Sequence, residues 1–297
     1  MGLYPLLRDH HRRVIFTGMG ASHIAALRSW RRLVAAGEAA WWIDTKNLLE
    51  HPQLLTSDSM LVVTSRSGCS PQVGTLAEEL GRTAVPHAVI AITDDMASPL
   101  VAVSDCEVLL RSGASASPTG FLNALIAHDY VASMILNEDN DDVADIARVV
   151  ATTTLPKELR AVAASVAAQQ DSRLAYVGFD QHATVALYAA LLTNDATGVD
   201  AQGHIAQREL PALVRHADSQ LTAVLFASSH PCDAAMSALA DDLLAAESNV
   251  VVVGGAAVPG AIQIPSPPAH ALAEVARDVV VIEQFVSQLA SQRAASA

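Results

Sequence analysis

The stretch Val14-Ile15-Phe16-Thr17-Gly18-Met19-Gly20-Ala21-Ser22-His23 decides the fold class of this chain. Its first half is a run of apolar and β-branched residues, and its second half is a glycine turn that leads into a segment of helical period. A strand that passes through a glycine turn into a helix is the opening of a βαβ unit. We therefore predict an α/β fold with a parallel sheet covered by helices.

Strand and helix signals alternate in this way along the 297 residues. The predicted strands are 14–18, 39–44, 60–65, 87–93, 106–110, 174–179, 221–228, 249–255 and 261–265. The predicted helices are 21–36, 71–80, 119–136, 180–193, 232–247 and 269–290. The acidic run 137–145 separates two similar series, so we predict two α/β domains in tandem, 1–150 and 151–297.

The charge balance excludes several classes of partner. Two lysines, Lys46 and Lys157, and sixteen arginines stand against 31 acidic residues, which gives a net charge of −13. Such a chain is repelled by nucleic acid and by anionic membranes, so we expect a small ligand. The N-terminal segment lacks the apolar core of a secretory signal, and no apolar run reaches the length of a membrane span. We therefore expect a cytoplasmic protein.

Cysteine and histidine patterns give no sign of a metal site. Cys69, Cys106 and Cys232 are widely spaced, without a C-x-x-C pair, and the eleven histidines include no H-E-x-x-H motif. We expect buried thiols, no metal ion and no cofactor. Five arginines are expected on a solvated or interfacial face: Arg12, Arg13, Arg28, Arg31 and Arg32.

The glycine turn after the first strand can bind an anion. Glycines let the backbone approach a ligand, and the N–H groups at a helix start attract negative charge. One interpretation is a dinucleotide site, with Asp44 holding a ribose hydroxyl, but His23 occupies the place of the third glycine in that motif.

A second loop, Ser65-Arg66-Ser67-Gly68-Cys69-Ser70-Pro71, follows the third strand. Its hydroxyls and backbone N–H groups suit a phosphate dianion, and Arg66 can bind phosphate with two parallel hydrogen bonds. The alternative is a hydroxyl-rich helix cap, which uses one serine and leaves the others unexplained. Because both loops follow strands of one parallel sheet, at the edge where such sheets bind ligands, we favour a phosphate site.

These loops resemble those of the sugar isomerase (SIS) domain family. Gly18 to Ser22 looks like the family's G-T-G-T-S loop, Ser65 to Ser70 looks like its S-Q-S-G-E-T loop, and Ala116 to Phe121 is similar to its A-S-T-K-A-F segment. The resemblance implies two tandem three-layer αβα domains of flavodoxin or Rossmann type and a homodimer with sites near the subunit interface. It implies a sugar phosphate bound by Gly20, Ser22, Ser65, Arg66, Ser67 and Ser70, with Ser117 nearby.

The second half departs from the family where proton transfer is expected. Leu191-Leu192-Thr193-Asn194 stands in place of the family's K-L-K-E, and no lysine occurs over residues 288–297. Arg208-Glu209-Leu210-Pro211 aligns with the family's K-H-G-P, which makes Glu209 the best candidate base and His204 a second candidate. The alternative for Glu209 is an exposed acid paired with a nearby arginine.

Three hypotheses about function remain open from the sequence. The first is an aldose–ketose isomerase, or a related deaminase or deglycase, that acts on a phosphorylated sugar or amino sugar. The second is a non-catalytic protein that kept the phosphate loops and senses or sequesters a sugar phosphate. The third, an oxidoreductase with a bound dinucleotide, rests on Gly18, Gly20 and Asp44 alone.

Overall fold

The computed structural model describes residues 13–83, 85–113, 119–138, 143–206, 210–227 and 234–296. The chain forms two compact units, Met1–Asn140 and Asp141–Ala297. The described residues of each unit contain one five-stranded sheet. The pairings in both sheets are parallel. The prediction of an α/β fold with parallel sheets flanked by helices is confirmed.

The sheet of the first unit has the strand order β2-β1-β3-β4-β5. Its strands are β1 (Arg13–Gly18), β2 (Ala40–Trp42), β3 (Ser59–Thr64), β4 (Ala88–Thr93) and β5 (Cys106–Leu109). Its helices are α1 (Ala21–Ala25), α2 (Leu27–Ala35), α3 (Thr45–Glu50), α4 (Pro71–Thr83), α5 (Pro99–Ala102) and α6 (Thr119–Leu136), with a 3-10 turn at Pro52–Leu54.

Helices cover both faces of this sheet because its central strands are apolar on both sides. All six residues of β3 and of β4 are buried. Alternate residues such as Ile15, Leu61 and Val63 pack on one face against α3, α4 and α5. On the other face α1 and α2 contact α6, and the Phe16 ring lies 5.5 Å from the ring of His128 in α6. The unit is therefore a three-layer αβα structure.

The sheet of the second unit has the strand order β10-β9-β8-β6-β7. As in the first unit, the second strand in sequence lies at the edge of the sheet, next to the first strand. Its strands are β6 (Arg173–Gly178), β7 (Asp200–Ile205), β8 (Leu221–Phe226), β9 (Asn249–Val253) and β10 (Ile262–Ile264). Its helices are α7 (Val143–Thr152), α8 (Lys157–Ala168), α9 (Ala183–Thr197), α10 (Leu210–Arg215), α11 (Ala234–Ala245) and α12 (Ala271–Ser296), with a 3-10 turn at Asp180–His182.

Two helical layers enclose this second sheet as well. Val177, Ala223 and Val252 belong to a buried cluster that includes residues of α10 and α11, among them Leu213 and Met236. The long helix α12 contacts α7, α8 and α9. None of the helices in the described ranges combines the length and the apolarity needed to cross a bilayer.

Several boundaries differ from those that the sequence patterns predict. The helix predicted over 21–36 is two helices separated at Ala26. Strand β7 was not predicted, because Asp200, Gln202 and Gly203 give it a poor strand pattern. It forms nonetheless, since its backbone pairs along the whole length of β6.

Candidate functional site

The two candidate loops of the first unit begin side by side. Strand β1 pairs with β3 in parallel, and Gly18 at the end of β1 is in register with Thr64 at the end of β3. In this strand order the connections from β1 and β3 leave on opposite sides of the sheet, and a crevice opens between them. Ligands of open α/β sheets bind at that crevice, so the topology brings both loops to the expected position.

The glycine loop, Gly18 to His23, contains two glycines that have different structural roles. A Cβ atom at Gly18 would lie 2.9 Å from the carbonyl oxygen of Thr64, so a larger residue would push β1 and β3 apart. Gly20 is exposed and has φ +53° and ψ −127°, a backbone conformation that favours glycine. Its carbonyl accepts hydrogen bonds from the N–H groups of His23 and Ile24, both at 3.1 Å. The half-buried Ser22 therefore lies in the first turn of α1.

The serine loop, Ser65 to Ser70, is held in place by hydrogen bonds from the end of β4 and the segment that follows it. The carbonyl of Arg66 accepts hydrogen bonds from the hydroxyl of Thr93 at 3.0 Å and from the N–H of Asp94 at 2.9 Å. Within the loop, the N–H of Gly68 donates to the Ser65 carbonyl at 3.0 Å, and the N–H of Cys69 donates to Ser67 Oγ at 3.4 Å. Hydrogen bonds from the end of β4 and the segment after it, and hydrogen bonds within the loop, thus hold the loop backbone in place.

The side chains of this loop differ in their access to a ligand. Ser65 is only 5% exposed, Ser70 is half-buried, and Arg66 and Ser67 are exposed. A Cβ atom at Gly120, in the first turn of α6, would lie 3.9 Å from Arg66 Cδ and 3.6 Å from the hydroxyl of Ser112. The stem of Arg66 therefore runs along the start of α6. Ser117, which precedes that helix, lies outside the described residues.

A histidine of the glycine loop was not among the predicted ligand-binding residues. The His23 ring stacks on Trp42 with the ring centres 4.2 Å apart and the planes within 3°. Trp42 Nε1 donates a 2.7 Å hydrogen bond to the His23 carbonyl. Burial lowers the pKa of His23 to about 4, although the negative charge of Asp44 acts to raise it. The imidazole next to the glycine loop is therefore neutral at physiological pH.

A second neutral histidine lies beneath the same loops. His128 is fully buried, and its Nε2 is 2.8 Å from the hydroxyl of Thr64. Burial, and to a smaller extent the positive charge that His23 can carry, lower the pKa of His128 to about 3. The only sequence signal for either residue was that His23 replaced a glycine in a nucleotide-binding motif. His128 gave no signal, because it is one polar residue within an apolar helix.

The position of Asp44 weakens the dinucleotide interpretation. Its carboxylate caps α3 by accepting a 3.0 Å hydrogen bond from the N–H of Asn47, and it also contacts the Asn47 side chain. Partial burial raises the pKa of Asp44, but the hydrogen bonds from Asn47 outweigh this effect and hold the pKa below its usual value. The residue expected to hold a ribose is thus engaged in helix capping.

The prediction that Arg28 lies on a solvated or interfacial face of the protein is wrong, because this side chain is buried inside the first unit. This residue is 5% exposed and forms an ion pair with Asp129, which is 3% exposed. Arg32 donates to Asp129 and to Glu138, each at 2.6 Å. These ion pairs connect α2 to α6, so Arg28 and Arg32 anchor the helix that begins beside the serine loop. The sequence pattern does not show this, because Asp129 lies about a hundred residues further along the chain.

The candidate proton-transfer residues belong to the second unit. Glu209 and Arg208 lie outside the described residues. His204 is 7% exposed in β7 and lines a cavity of about 210 Å³ together with Leu213 and His216. Two other acids of the stretch where the base is expected, Asp195 and Asp200, are exposed. Among the described residues, no group of three His, Cys, Asp or Glu side chains is arranged to bind a metal ion.

Asn194 has a structural role in this unit. Its side-chain nitrogen donates to the carbonyls of Ala190 and Ala201 at 2.9 and 2.8 Å. Its side-chain oxygen accepts from the N–H of Ala201 at 3.1 Å. The amide thereby ties α9 to β7, and its hydrogen-bonding groups serve the fold.

Lysines and cysteines add little to the candidate site. Lys46 and Lys157 are both exposed, and Lys157 Nζ lies 3.8 Å from Glu158. Cys69 is exposed, so the expectation of a buried thiol is wrong for this residue. Cys69 follows Gly68, whose φ of +60° turns the chain at this point of the loop. Cys106 is buried, and burial together with the charge of Glu107 raises its pKa. Cys232 lies outside the described residues.

The fold is shared with several structures of sugar-phosphate enzymes. The C-terminal domain of glucosamine-fructose-6-phosphate aminotransferase from Francisella tularensis matches 98% of this chain and 87% of its own, with a TM-score of 0.86 and 13% identity. Tagatose-6-phosphate ketose/aldose isomerase from Escherichia coli matches 99% of this chain and 85% of its own, with a TM-score of 0.78 and 18% identity.

A third structure with the same fold is that of a deaminase. Glucosamine-6-phosphate deaminase from Thermotoga maritima matches 99% of this chain and 91% of its own, with a TM-score of 0.70 and 18% identity. Neither protein-family models nor curated protein sequences give a match to this chain. At these identities the comparisons establish a common fold, and they do so over nearly the whole chain.

Proposed function

We propose that this protein belongs to the sugar isomerase family as two tandem SIS domains, 1–150 and 151–297, and that it binds a sugar phosphate at the carboxyl edge of its first sheet. The observation that carries the proposal is the register of Gly18 with Thr64, which starts the glycine loop and the serine loop side by side at the crevice of the sheet. Sugar-phosphate enzymes of the same fold support this choice of ligand.

The phosphate is proposed to bind mainly to the exposed part of the serine loop. Ser67 and Arg66 supply donors at the surface, and the half-buried Ser22 and Ser70 supply hydroxyls deeper in the crevice. Ser65, at 5% exposure, contributes chiefly by holding the turn at Gly68. Gly20 brings the backbone close to the ligand, and Ser117 is proposed to complete the set. Hydrogen bonds to a charged phosphate contribute about 1.5–3 kcal/mol each.

The proposed activity is aldose–ketose isomerisation, or the related deamination or deglycation, of a phosphorylated sugar or amino sugar. In isomerisation a base removes the proton from C2 of the aldose and returns a proton to C1, while the proton of the C2 hydroxyl moves to the carbonyl oxygen at C1. Glu209 is the proposed base and His204 the second candidate. We further propose a cytoplasmic homodimer with the site near the subunit interface, no cofactor, and neither nucleic acid nor membrane as a partner.

Binding is tested by calorimetric titration with glucosamine 6-phosphate and fructose 6-phosphate. Ser67→Ala is expected to weaken binding by about 10- to 150-fold, the loss of one charge-assisted hydrogen bond. Ser57→Ala, which changes an exposed turn serine at the other end of β3, is the matched control and is expected to bind normally. Equal affinity of the two variants would show that the serine loop does not hold the phosphate.

Catalysis is tested by proton exchange in deuterated water, at C2 of glucosamine 6-phosphate and at C1 of fructose 6-phosphate. Glu209→Gln is expected to abolish exchange and to leave binding intact, whereas Glu50→Gln, an exposed acid on α3, is expected to behave like wild type. Saturable binding without exchange of any hexose phosphate would refute the enzyme proposal.

The second candidate function is a protein that binds or senses a sugar phosphate without converting it. The specific observation in its favour concerns Asn194, which stands where the family has its glutamate. The side-chain amide of Asn194 forms hydrogen bonds with the backbone of Ala190 and Ala201. Both lysines are exposed surface residues as well. The exchange experiment separates the two functions, since a sensor would show the Ser67 effect on binding and no turnover.

A further inference from the structure

Arg111 adopts a backbone conformation that is unusual for its residue type. It lies two residues after the end of β5 and has a φ of +52°. Of the other described non-glycine residues with positive φ, Asn137 and Glu247 follow the ends of helices, and Asp180 is an aspartate, which tolerates this region. Arg111 follows a strand, so neither explanation applies to it. Strain of this kind is concentrated at ligand sites, where the side chain has a function that offsets its cost.

Hydrogen bonds fix the chain on both sides of Arg111. The N–H of Leu110 donates to the carbonyl of Thr93 at 3.0 Å. The N–H of Ser112 donates to Oδ1 of Asp94 at 2.8 Å. The conformation of Arg111 is therefore imposed by ordered neighbours at the end of β4 and is not that of a loose loop.

The same neighbours place Arg111 beside the serine loop. The end of β4 and the residue after it, which hold the chain around Arg111, also donate two hydrogen bonds to the carbonyl of Arg66. A Cβ atom at Gly120 would lie 3.6 Å from Ser112 Oγ and 3.9 Å from Arg66 Cδ, so Ser112 and the stem of Arg66 meet at the start of α6. Arg111 directly precedes Ser112, and the two arginines therefore belong to one region of the carboxyl edge of the sheet.

The positive charge of Arg111 has no partner among the described residues. Its side chain is exposed, and it takes part in no ion pair or hydrogen bond with that part of the chain. The acidic side chains of the segment after β4, Asp94 and Asp95, each accept a hydrogen bond from a backbone N–H group instead. In a chain with a net charge of −13, an unpaired guanidinium group next to a second arginine favours an anionic ligand.

We propose that Arg111 is a second arginine of the sugar-phosphate site and that, together with Arg66, it makes this site select dianionic ligands over monoanionic ones. The inference rests on the proposed phosphate site at the serine loop. A guanidinium group binds phosphate oxygens through two parallel hydrogen bonds. A phosphomonoester, with a second pKa of about 6, carries nearly two negative charges at pH 8, whereas a sulfate ester carries one. Two guanidinium groups therefore favour the phosphate over the sulfate more strongly than one does.

The test compares glucosamine 6-phosphate with glucosamine 6-sulfate, which has the same ring and a single negative charge on its ester. In calorimetric titrations at about pH 8, Arg111→Gln is expected to weaken binding of the phosphate by about tenfold or more. Binding of the sulfate should weaken by a clearly smaller factor, so the preference for the phosphate falls. Arg82→Gln removes another exposed arginine of the same unit, in α4, and as the matched control should leave both affinities unchanged.

A second variant separates ligand binding from a structural role. Glycine readily adopts a φ of +52°, so Arg111→Gly should relieve the backbone strain and unfold at a urea concentration no lower than wild type does. It should nevertheless weaken binding of glucosamine 6-phosphate as much as Arg111→Gln does. A residue with a purely structural role would not combine undiminished stability with a loss of affinity for the dianion.

Three results would overturn the proposal, and they differ in what they say about the phosphate site. An unchanged preference for phosphate over sulfate in Arg111→Gln would refute the selection of charge. If Ser67→Ala weakened binding of the phosphate and both Arg111 variants did not, the phosphate site would stand and the role of Arg111 would be wrong. Failure of the wild-type protein to bind glucosamine 6-phosphate would overturn both, because Arg111 is proposed to act on a ligand of that site.

Discussion

Gly68 of the serine loop offers a quantitative test of the site geometry. Its φ of +60° disfavours any residue with a side chain, at a cost of about 1–2 kcal/mol. A Cβ atom there would lie 2.2 Å from Ser98 Oγ and 2.4 Å from Ser98 Cβ. Ser98 is buried, so it has little room to move, and overpacking of this kind costs about 1–3 kcal/mol. We therefore expect Gly68→Ala to destabilise the first unit by about 2–5 kcal/mol.

The chain contains a closely matched control for this change. Gly74 lies in α4, only six residues further on, with an ordinary helical conformation and no atom within 4 Å of an added Cβ. Gly74→Ala is expected to stabilise the same unit by about 0.5–1 kcal/mol, because alanine loses less backbone entropy in a helix. The two substitutions add the same methyl group and should have opposite effects.

Urea unfolding followed by tryptophan fluorescence measures both effects. All three tryptophans, Trp30, Trp41 and Trp42, lie in the first unit, so their emission reports on the unit that is changed. In the double variant Gly68→Ala/Ser98→Gly the steric part of about 1–3 kcal/mol should be recovered, while the backbone strain remains. A Gly68→Ala stability within about 0.5 kcal/mol of wild type would refute the described loop geometry.

Three further predictions concern buried ionisable groups. Asp129→Asn removes the buried negative charge that pairs with the Arg28 guanidinium and should cost about 3–5 kcal/mol in urea unfolding of the first unit. Burial raises the pKa of Glu283 to about 7, although the hydrogen bond from Tyr188 lowers it. The folded state therefore keeps a proton between about pH 4.3 and 7 that the unfolded chain has lost, so stability should fall by roughly 3–4 kcal/mol as the pH rises through this window. Glu283→Gln should flatten that slope, which circular dichroism at several pH values measures. Finally, the His23 ring, with a pKa of about 4, should show no titration by NMR between about pH 5.5 and 8.

Much of the first unit was predictable because its signals are local. The segment 14–23 shows the strand, the turn and the start of a helix in consecutive residues, and the predicted helix over 119–136 matches α6. The loops could be selected as candidate ligand-binding loops because glycine and serine have distinctive chemistry at the ends of strands. The corresponding signals were weaker for β7, whose polar residues and glycine lack the β-strand pattern, and this strand was missed.

Residues whose role depends on distant partners could not be predicted from the sequence. Arg28 looked like one of several surface arginines, and its burial follows from Asp129 on a helix that is remote in sequence. Asn194 looked like a lost catalytic group, whereas its amide in fact joins α9 to β7. His23 looked like a defect in a motif, and only the tertiary structure shows that its ring stacks on Trp42 and that burial lowers its pKa.

The sequence by itself determined the α/β class, the chemistry of the two loops and the scarcity of lysine, because each of these depends on residue type and short-range periodicity. The tertiary structure decided which strands are neighbours, and hence that the glycine loop and the serine loop start in register at Gly18 and Thr64. It also decided which ionisable side chains lose contact with water, among them His128, Asp129 and Asp278. Strand order and burial are set by contacts between residues far apart in the chain, which a local pattern does not contain.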